Sequence, residues 1–259
     1  MTALIATAPH RPARGLRPYF IGLEIKRMLT NVAVLLFCFA LPIAFYLFFG
    51  AAFGAAPAGD GNLNALVLAM MGIYGSIMTA ASCAYSVQGE RLGGWNRQLR
   101  LTPLRPLSYV AGKIVAALVG AFVSLVVLYL VGLALRQAHM PVSAWFATFA
   151  IAWFGAIGFA AFGLFVGLVM DRGTPAAVVV PVSLVCGFLS GMFQVPLQGQ
   201  VWDIIRDIIP LGGLVQWSQT TFGPQVATST WVMWVNTLGW TVVFIIMATW
   251  AFARDTRRV

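Results

Sequence analysis

Residues 107–135 read LSYVAGKIVAALVGAFVSLVVLYLVGLAL, an uninterrupted apolar run whose only charge is Lys113. As an α-helix rising 1.5 Å per residue it covers ~43 Å, more than the ~30 Å hydrocarbon core of a bilayer. Nothing in it alternates with a period of two, and a barrel strand would need only about ten residues. It therefore reads as a membrane-spanning helix. Five further apolar segments lie around it, at 32–53, 65–87, 145–170, 176–192 and 230–253. All are long enough to cross except 176–192, which is marginal. The chain as a whole is 60% hydrophobic and 9% charged, against roughly 25% charged residues in soluble domains. The sequence predicts an all-α membrane protein with six transmembrane helices over 31–259.

Charge patterning orients those helices. With the N-terminus inside, fourteen Lys and Arg fall on the inner side, and two, Arg136 and Arg206, on the outer. The positive-inside rule then places both termini in the cytoplasm. The net charge of +9 is accounted for by this asymmetry, which argues against a nucleic-acid partner. Residues 1–16 read as a flexible basic tail rather than a signal peptide, since the first apolar run is too long for a cleavable segment. Residues 17–30 mix Tyr19, Phe20, Ile21 and Leu23 with Arg17, Glu24, Lys26 and Arg27, and predict an interfacial helix on the inner leaflet. Trp145, Trp231 and Trp234 fit an outer aromatic belt and Trp250 an inner one.

Two connections are more than connections. Residues 90–106, ERLGGWNRQLRLTPLRP, carry four arginines and a glutamate. Leu92, Trp95 and Leu99 are spaced i, i+3, i+7, a helix face suited to a groove, and Pro103 and Pro106 end it. The loop 88–106 is thus an amphipathic docking helix or, on the simpler reading, a basic loop that fixes topology or binds anionic lipid. Between spans five and six, Val201, Ile204, Ile205 and Ile208 recur with helical spacing opposite Asp203, Arg206 and Asp207. An outer helix over 200–210 follows, stopped by Pro210 and Gly212-Gly213, either re-entrant or lying on the surface. Glycine and alanine pairs four apart (Gly50/Gly54, Gly112/Ala116/Gly120, Gly163/Gly167, Gly187/Gly191) predict close helix packing within one subunit or at a dimer contact.

The chemistry that is missing narrows the function. The seven acidic residues (24, 60, 90, 171, 203, 207, 255) and both histidines, His10 and His139, lie in loops or at segment ends. A secondary carrier usually buries an ionisable group at mid-membrane, and intramembrane enzymes need buried acid–base or metal-binding groups. The chain is expected not to be an enzyme. Cys38, Cys83 and Cys186 lie in apolar segments without pair spacing, so no disulfide or metal is expected. Gly112-Lys113 lacks the rest of a phosphate-binding loop, with Leu107 and Ile114 where Gly and Ser/Thr are required. Any ATP-driven step needs another polypeptide.

The motif Glu90-Arg91-x-Gly93-Gly94 followed by Leu99-Arg100-x-Thr102-Pro103 and Tyr109-x-x-Gly112-Lys113 resembles the cytoplasmic loop of ATP-binding-cassette (ABC) type-2 exporter permeases. The likeness extends over nearly the whole chain, from the interfacial helix to the interrupted connection at Ile209-Pro210-Leu211. It implies that the loop is the coupling helix docking on a separate nucleotide-binding ATPase subunit, which binds ATP and Mg; no cofactor belongs to this chain. The implied coupling residues are Glu90, Arg91, Gly93, Trp95, Arg97, Arg100, Thr102 and Pro103, with Asp171 and Arg172 as a minor second contact. Gly93-Gly94 departs from the family's single glycine followed by a polar residue, so the helix is expected to start later than in relatives.

The same resemblance implies a second permease subunit and a bacterial cell membrane. Candidate substrate-path residues on spans one, two and five are Phe37, Phe45, Phe49, Met70, Met71, Met78, Phe188, Met192 and Phe193. Flexible Met and aromatic surfaces suit varied apolar ligands, although such residues more often face lipid or a neighbouring helix. A hydrophobic or amphipathic cargo, drug-like or lipid, is the first expectation. A polysaccharide or glycolipid permease and a non-transporting anchor that recruits a cytoplasmic protein are the alternatives.

Overall fold

A computed structural model of the chain describes residues 22, 26, 30, 36–92, 106–170, 175–193, 199–223 and 230–255. The tail predicted over 1–16 and most of the interfacial helix predicted over 17–30 lie outside the described residues. Gly22, Lys26 and Thr30 are helical, and the Thr30 hydroxyl donates to the Lys26 carbonyl at 2.9 Å.

A π-helical turn, Leu36–Ala40, leads into α1 (Leu41–Phe53). Proline at 42 explains the irregularity: it has no N–H to donate to the Cys38 carbonyl one turn back. In a bilayer that orphaned carbonyl needs another donor, and the Ser124 hydroxyl supplies it at 3.0 Å. Gly54, at φ 64°, ends α1. A two-stranded antiparallel hairpin, β1 (Pro57–Ala58) and β2 (Gly61–Asn62), turns the chain back.

The helices that follow are α2 (Leu63–Ala81), α3 (Cys83–Leu92), α4 (Pro106–Leu135), α5 (Val142–Val169), α6 (Ala176–Leu189), α7 (Gln200–Ile208), α8 (Gly212–Thr220) and α9 (Thr230–Asp255). Among the described residues, four stretches are long and apolar enough to cross a membrane: Leu63–Glu90, Tyr109–Leu135, Val142–Val169 and Trp231–Arg254. The first and fifth predicted spans form shorter apolar helices, Cys38–Phe53 and Ala177–Leu189. The 14 residues of α6 reach ~21 Å, short of the ~30 Å core. The predicted fifth span also runs too far. The chain turns at Gly191 (φ 82°), and Met192 and Phe193 fold back against Gly187.

The centre of the bundle is α2, where every residue from Asn64 to Ala81 is buried except Leu66. It is ringed by α1, α4 and α5. Membrane helices gain no hydrophobic drive against lipid, so small residues and inter-helix hydrogen bonds hold them. A Cβ on Gly163 would lie 2.5 Å from the Ala81 carbonyl oxygen, and one on Gly167 2.8 Å from that of Ala84, so α5 meets α2 and α3 backbone to backbone. The Ser76 hydroxyl donates to Ala152 O (2.8 Å), Tyr129 to Thr148 Oγ1 (3.0 Å) and Trp153 Nε1 to Leu118 O (2.9 Å). Of the predicted small-residue pairs, Gly163/Gly167 makes such a contact, whereas Gly54 and Gly191 are turn residues.

Asn62 organises the β-hairpin end. Its side chain caps α2 through Ala65 N, donates to Gln137 O (2.7 Å) and accepts from His139 N (3.0 Å). Trp231, Trp234 and Trp250 are all exposed along α9, as belt residues facing lipid would be.

Candidate functional site

The second apolar segment does not stop at residue 87. Ser82 makes a slight break, with its hydroxyl turned back to Thr79 O at 2.6 Å, and α3 then continues to Leu92. Leu63–Glu90 is 28 residues, ~42 Å of helix, so its last turns reach beyond a ~30 Å hydrocarbon layer. Residues 93–105 join α3 to α4 outside the described residues. Gly93, Trp95, Arg97, Arg100, Thr102 and Pro103 fall there, as does the start proposed for the docking helix. Arg91 is helical, with its side chain outside the described residues; Asp171 and Arg172 lie outside them altogether.

What the structure does place is the base of that loop. Glu90 is buried, and its two carboxylate oxygens have different partners: Lys113 Nζ donates to Oε1 at 2.6 Å and the Tyr109 hydroxyl to Oε2 at 2.8 Å. The ammonium also donates to Ser86 Oγ at 3.1 Å and lies 5.8 Å from the Tyr109 ring centre. Side-chain exposure is 1% for Lys113 and 3% for Glu90. The Tyr109 ring stacks on Phe252 of α9, centroids 4.5 Å apart. One cluster thus joins α3, α4 and α9.

This changes the reading of two residues. The Glu90 side chain, read as part of the docking surface, is turned into the fold, where Lys113 and Tyr109 meet it. Lys113 is not merely a topology signal: it sits about 10 Å along α4 from Pro106. Burial of a charge requires a counter-charge, and each supplies the other's. The signal was present in the sequence as a glutamate just beyond one apolar segment and a lysine two turns inside the next, both needing a partner.

At the β-hairpin end, the connection before α9 forms a helical hairpin. Helix α7 stops at Ile208, before Pro210 and Gly212-Gly213, and the two glycines also begin the buried helix α8. A Cβ on Gly213 would lie 2.6 Å from Met233 O, and the Leu214 side chain fills the space left by Gly155 of α5. Gly155 lies ~20 Å along α5 from Val142, so the turn reaches deep into the bundle and the segment does not lie across its end. At the far end of α8, Phe222 O accepts from Asp60 N at 2.8 Å.

Asn236 of α9 clasps the turn. Its amide donates to Asp207 O (2.7 Å) and Ile209 O (2.9 Å), while its oxygen accepts from Gly213 N (3.1 Å). Trp240 Nε1 donates to Ile208 O at 2.7 Å, and Gln216 Nε2 to Asp207 Oδ1 at 2.9 Å. Preceding α8, α7 exposes Val201, Ile204 and Ile208 and pairs Arg206 with Asp203 at 2.9 Å.

Most of the proposed path residues are brought together. Phe45, Phe49, Tyr74, Phe188 and Phe193 form linked ring contacts with centroids 4.6–6.1 Å apart. Met70, Met71, Met78, Met192 and Phe193 are buried in the core of the single chain, where their adaptable side chains fill the space between α1, α2 and the end of α6. Phe188 and the neighbouring Phe48 are exposed. The Phe37 side chain lies outside the described residues.

Comparison with known proteins agrees with this architecture. The family model described as ABC-2 type transporter matches residues 21–222. A Bacillus subtilis (strain 168) protein named "Putative transport permease YvfS" is 28% identical over 157 residues, which are 60% of this chain and 64% of that relative. The match thus spans just under two thirds of the relative's length. With the model covering both the helical core and the loop whose base is described above, this multi-pass membrane chain belongs to the ABC-2 type transporter family.

Proposed function

We propose that the chain is the membrane-spanning permease subunit of an ATP-driven exporter, working with a second permease subunit and a separate nucleotide-binding ATPase subunit that carries ATP and Mg. The observation that supports this reading is the anchored loop base: a buried ion pair ties α3 to α4, the helices that flank residues 93–105. Arg91, Gly93, Trp95, Arg97, Arg100, Thr102 and Pro103 form the docking surface, helped by Asp171 and Arg172. Closure of the ATPase pair pushes each loop, and the two permeases rock about their interface to open outward.

Among the described residues, the Met and Phe cluster is packed in the core of the single chain. The path therefore runs between the two permeases, along a face that includes Phe48 and Phe188, exposed at 68% and 48%. Such a surface suits a hydrophobic or amphipathic molecule. The setting is a bacterial plasma membrane with both termini cytoplasmic.

Co-purification of the chain with its ATPase subunit, repeated with Arg100→Ala, tests this reading. Docking predicts weakened association and loss of cargo-stimulated ATP hydrolysis in the variant. Unchanged association and stimulation, or ATP hydrolysis by the chain alone, would sink it.

A further inference from the structure

Lys113 and Glu90 present a puzzle that stability does not answer. A buried ion pair is often replaceable by apolar residues without loss, whereas breaking it from one side strands a charge; its best-attested use is to fix register. Here the register is between α3 and α4, the two helices that carry the ends of residues 93–105. The contact is 2.6 Å long and nearly solvent-free. A slip of α3 along α4 by a single residue, ~1.5 Å, would break it. Tyr109 adds a second contact to the same carboxylate and, by stacking on Phe252, extends the link to α9. On the other side α3 rests on α5 through Gly167.

We propose that Glu90, Tyr109 and Lys113 are positioning residues forming a force-transmitting joint, which makes α3, α4 and α9 move as one body when residues 93–105 are pushed. The inference rests on the proposed function and assigns Glu90 a part different from docking: it touches the bundle, not the ATPase subunit. Removing either charge uncouples the helices while leaving docking in place. Reversing both charges restores opposite signs across α3 and α4, and with them part of the joint.

The experiment uses the purified permease–ATPase complex in lipid nanodiscs. A spin label on Leu133→Cys, exposed near the end of α4, reports the distance between the two permeases, with Cys38, Cys83 and Cys186 replaced by Ala. Trapping with ATP and vanadate shifts that distance in the otherwise unmodified complex. Glu90→Gln and Lys113→Met are expected to retain the ATPase subunit and ATP hydrolysis but lose most of the shift. The double reversal Glu90→Lys/Lys113→Glu is expected to recover more of it than either reversal alone.

A full shift in Glu90→Gln, or a double reversal no better than the single ones, would overturn the joint and leave the exporter reading standing. Loss of the ATPase subunit from Glu90→Gln with normal retention in Lys113→Met would return Glu90 to the docking surface. Absence of any shift in the unmodified complex would overturn the exporter reading, and the joint with it. Thermal unfolding of each variant separates the effects: a purely structural role lowers the melting temperature and leaves the shift intact.

Discussion

Two polar clusters of this bundle, the loop base and the hairpin turn, solve opposite problems. At the loop base, Lys113 and Glu90 hold each other by full charges on side chains, and removing one leaves the other without that counter-charge. At the hairpin turn, Asn236 and Trp240 are neutral and bind backbone groups around a helix break: the carbonyls of Asp207, Ile208 and Ile209 and the Gly213 N–H. The first cluster fixes two helices in register. The second repairs the backbone where Pro210 forbids a continuous helix. A charged pair is intolerant of half-measures, whereas an amide clasp loses its bonds one at a time.

Lys113→Met is therefore expected to have the largest effect, about 3–5 kcal/mol of destabilisation from an uncompensated buried charge. Adding Glu90→Gln should return most of that loss in a thermal or denaturant melt, and a double variant as unstable as the single one would break the contrast. Asn236→Leu comes next at roughly 1–3 kcal/mol, since it leaves buried carbonyls unpaired. It should raise proteolytic cleavage within α7 and α8 selectively, which mass spectrometry can read. Trp240→Phe keeps the ring and loses one hydrogen bond, about 1 kcal/mol. Ser76→Ala, which removes a bond to α5 unrelated to either cluster, sets the floor at about 0.6 kcal/mol.

Much of this was legible in the sequence. The long apolar runs marked the helices α2, α4, α5 and α9, because hydrocarbon imposes a length and forbids unsatisfied backbone. The helical spacing of Val201, Ile204, Ile205 and Ile208 marked α7 equally well. What escaped reading was pairing in space. Gly212-Gly213 signals a stop when only the local chain is considered, but glycine also admits a neighbouring backbone, and here Met233 and Asn236 of α9 take that space. Glu90 looked like loop charge because Gln88 and Gly89 are not apolar, although the helix continues through both. Most of the Met and Phe residues of spans one, two and five come together in one cluster, yet periodicity cannot distinguish a packed interface from an open one.

The brace at Gly163 and Gly167 has a consequence of its own. The two glycines straddle the break at Ser82, one against Ala81 before it and the other against Ala84 after it. What a side chain at either position would meet is backbone, which cannot rotate away as the tip of a side chain can. The two glycines therefore hold α5 at one separation from the helix on both sides of its break, while Val166 between them packs with Ala81 and Ala84.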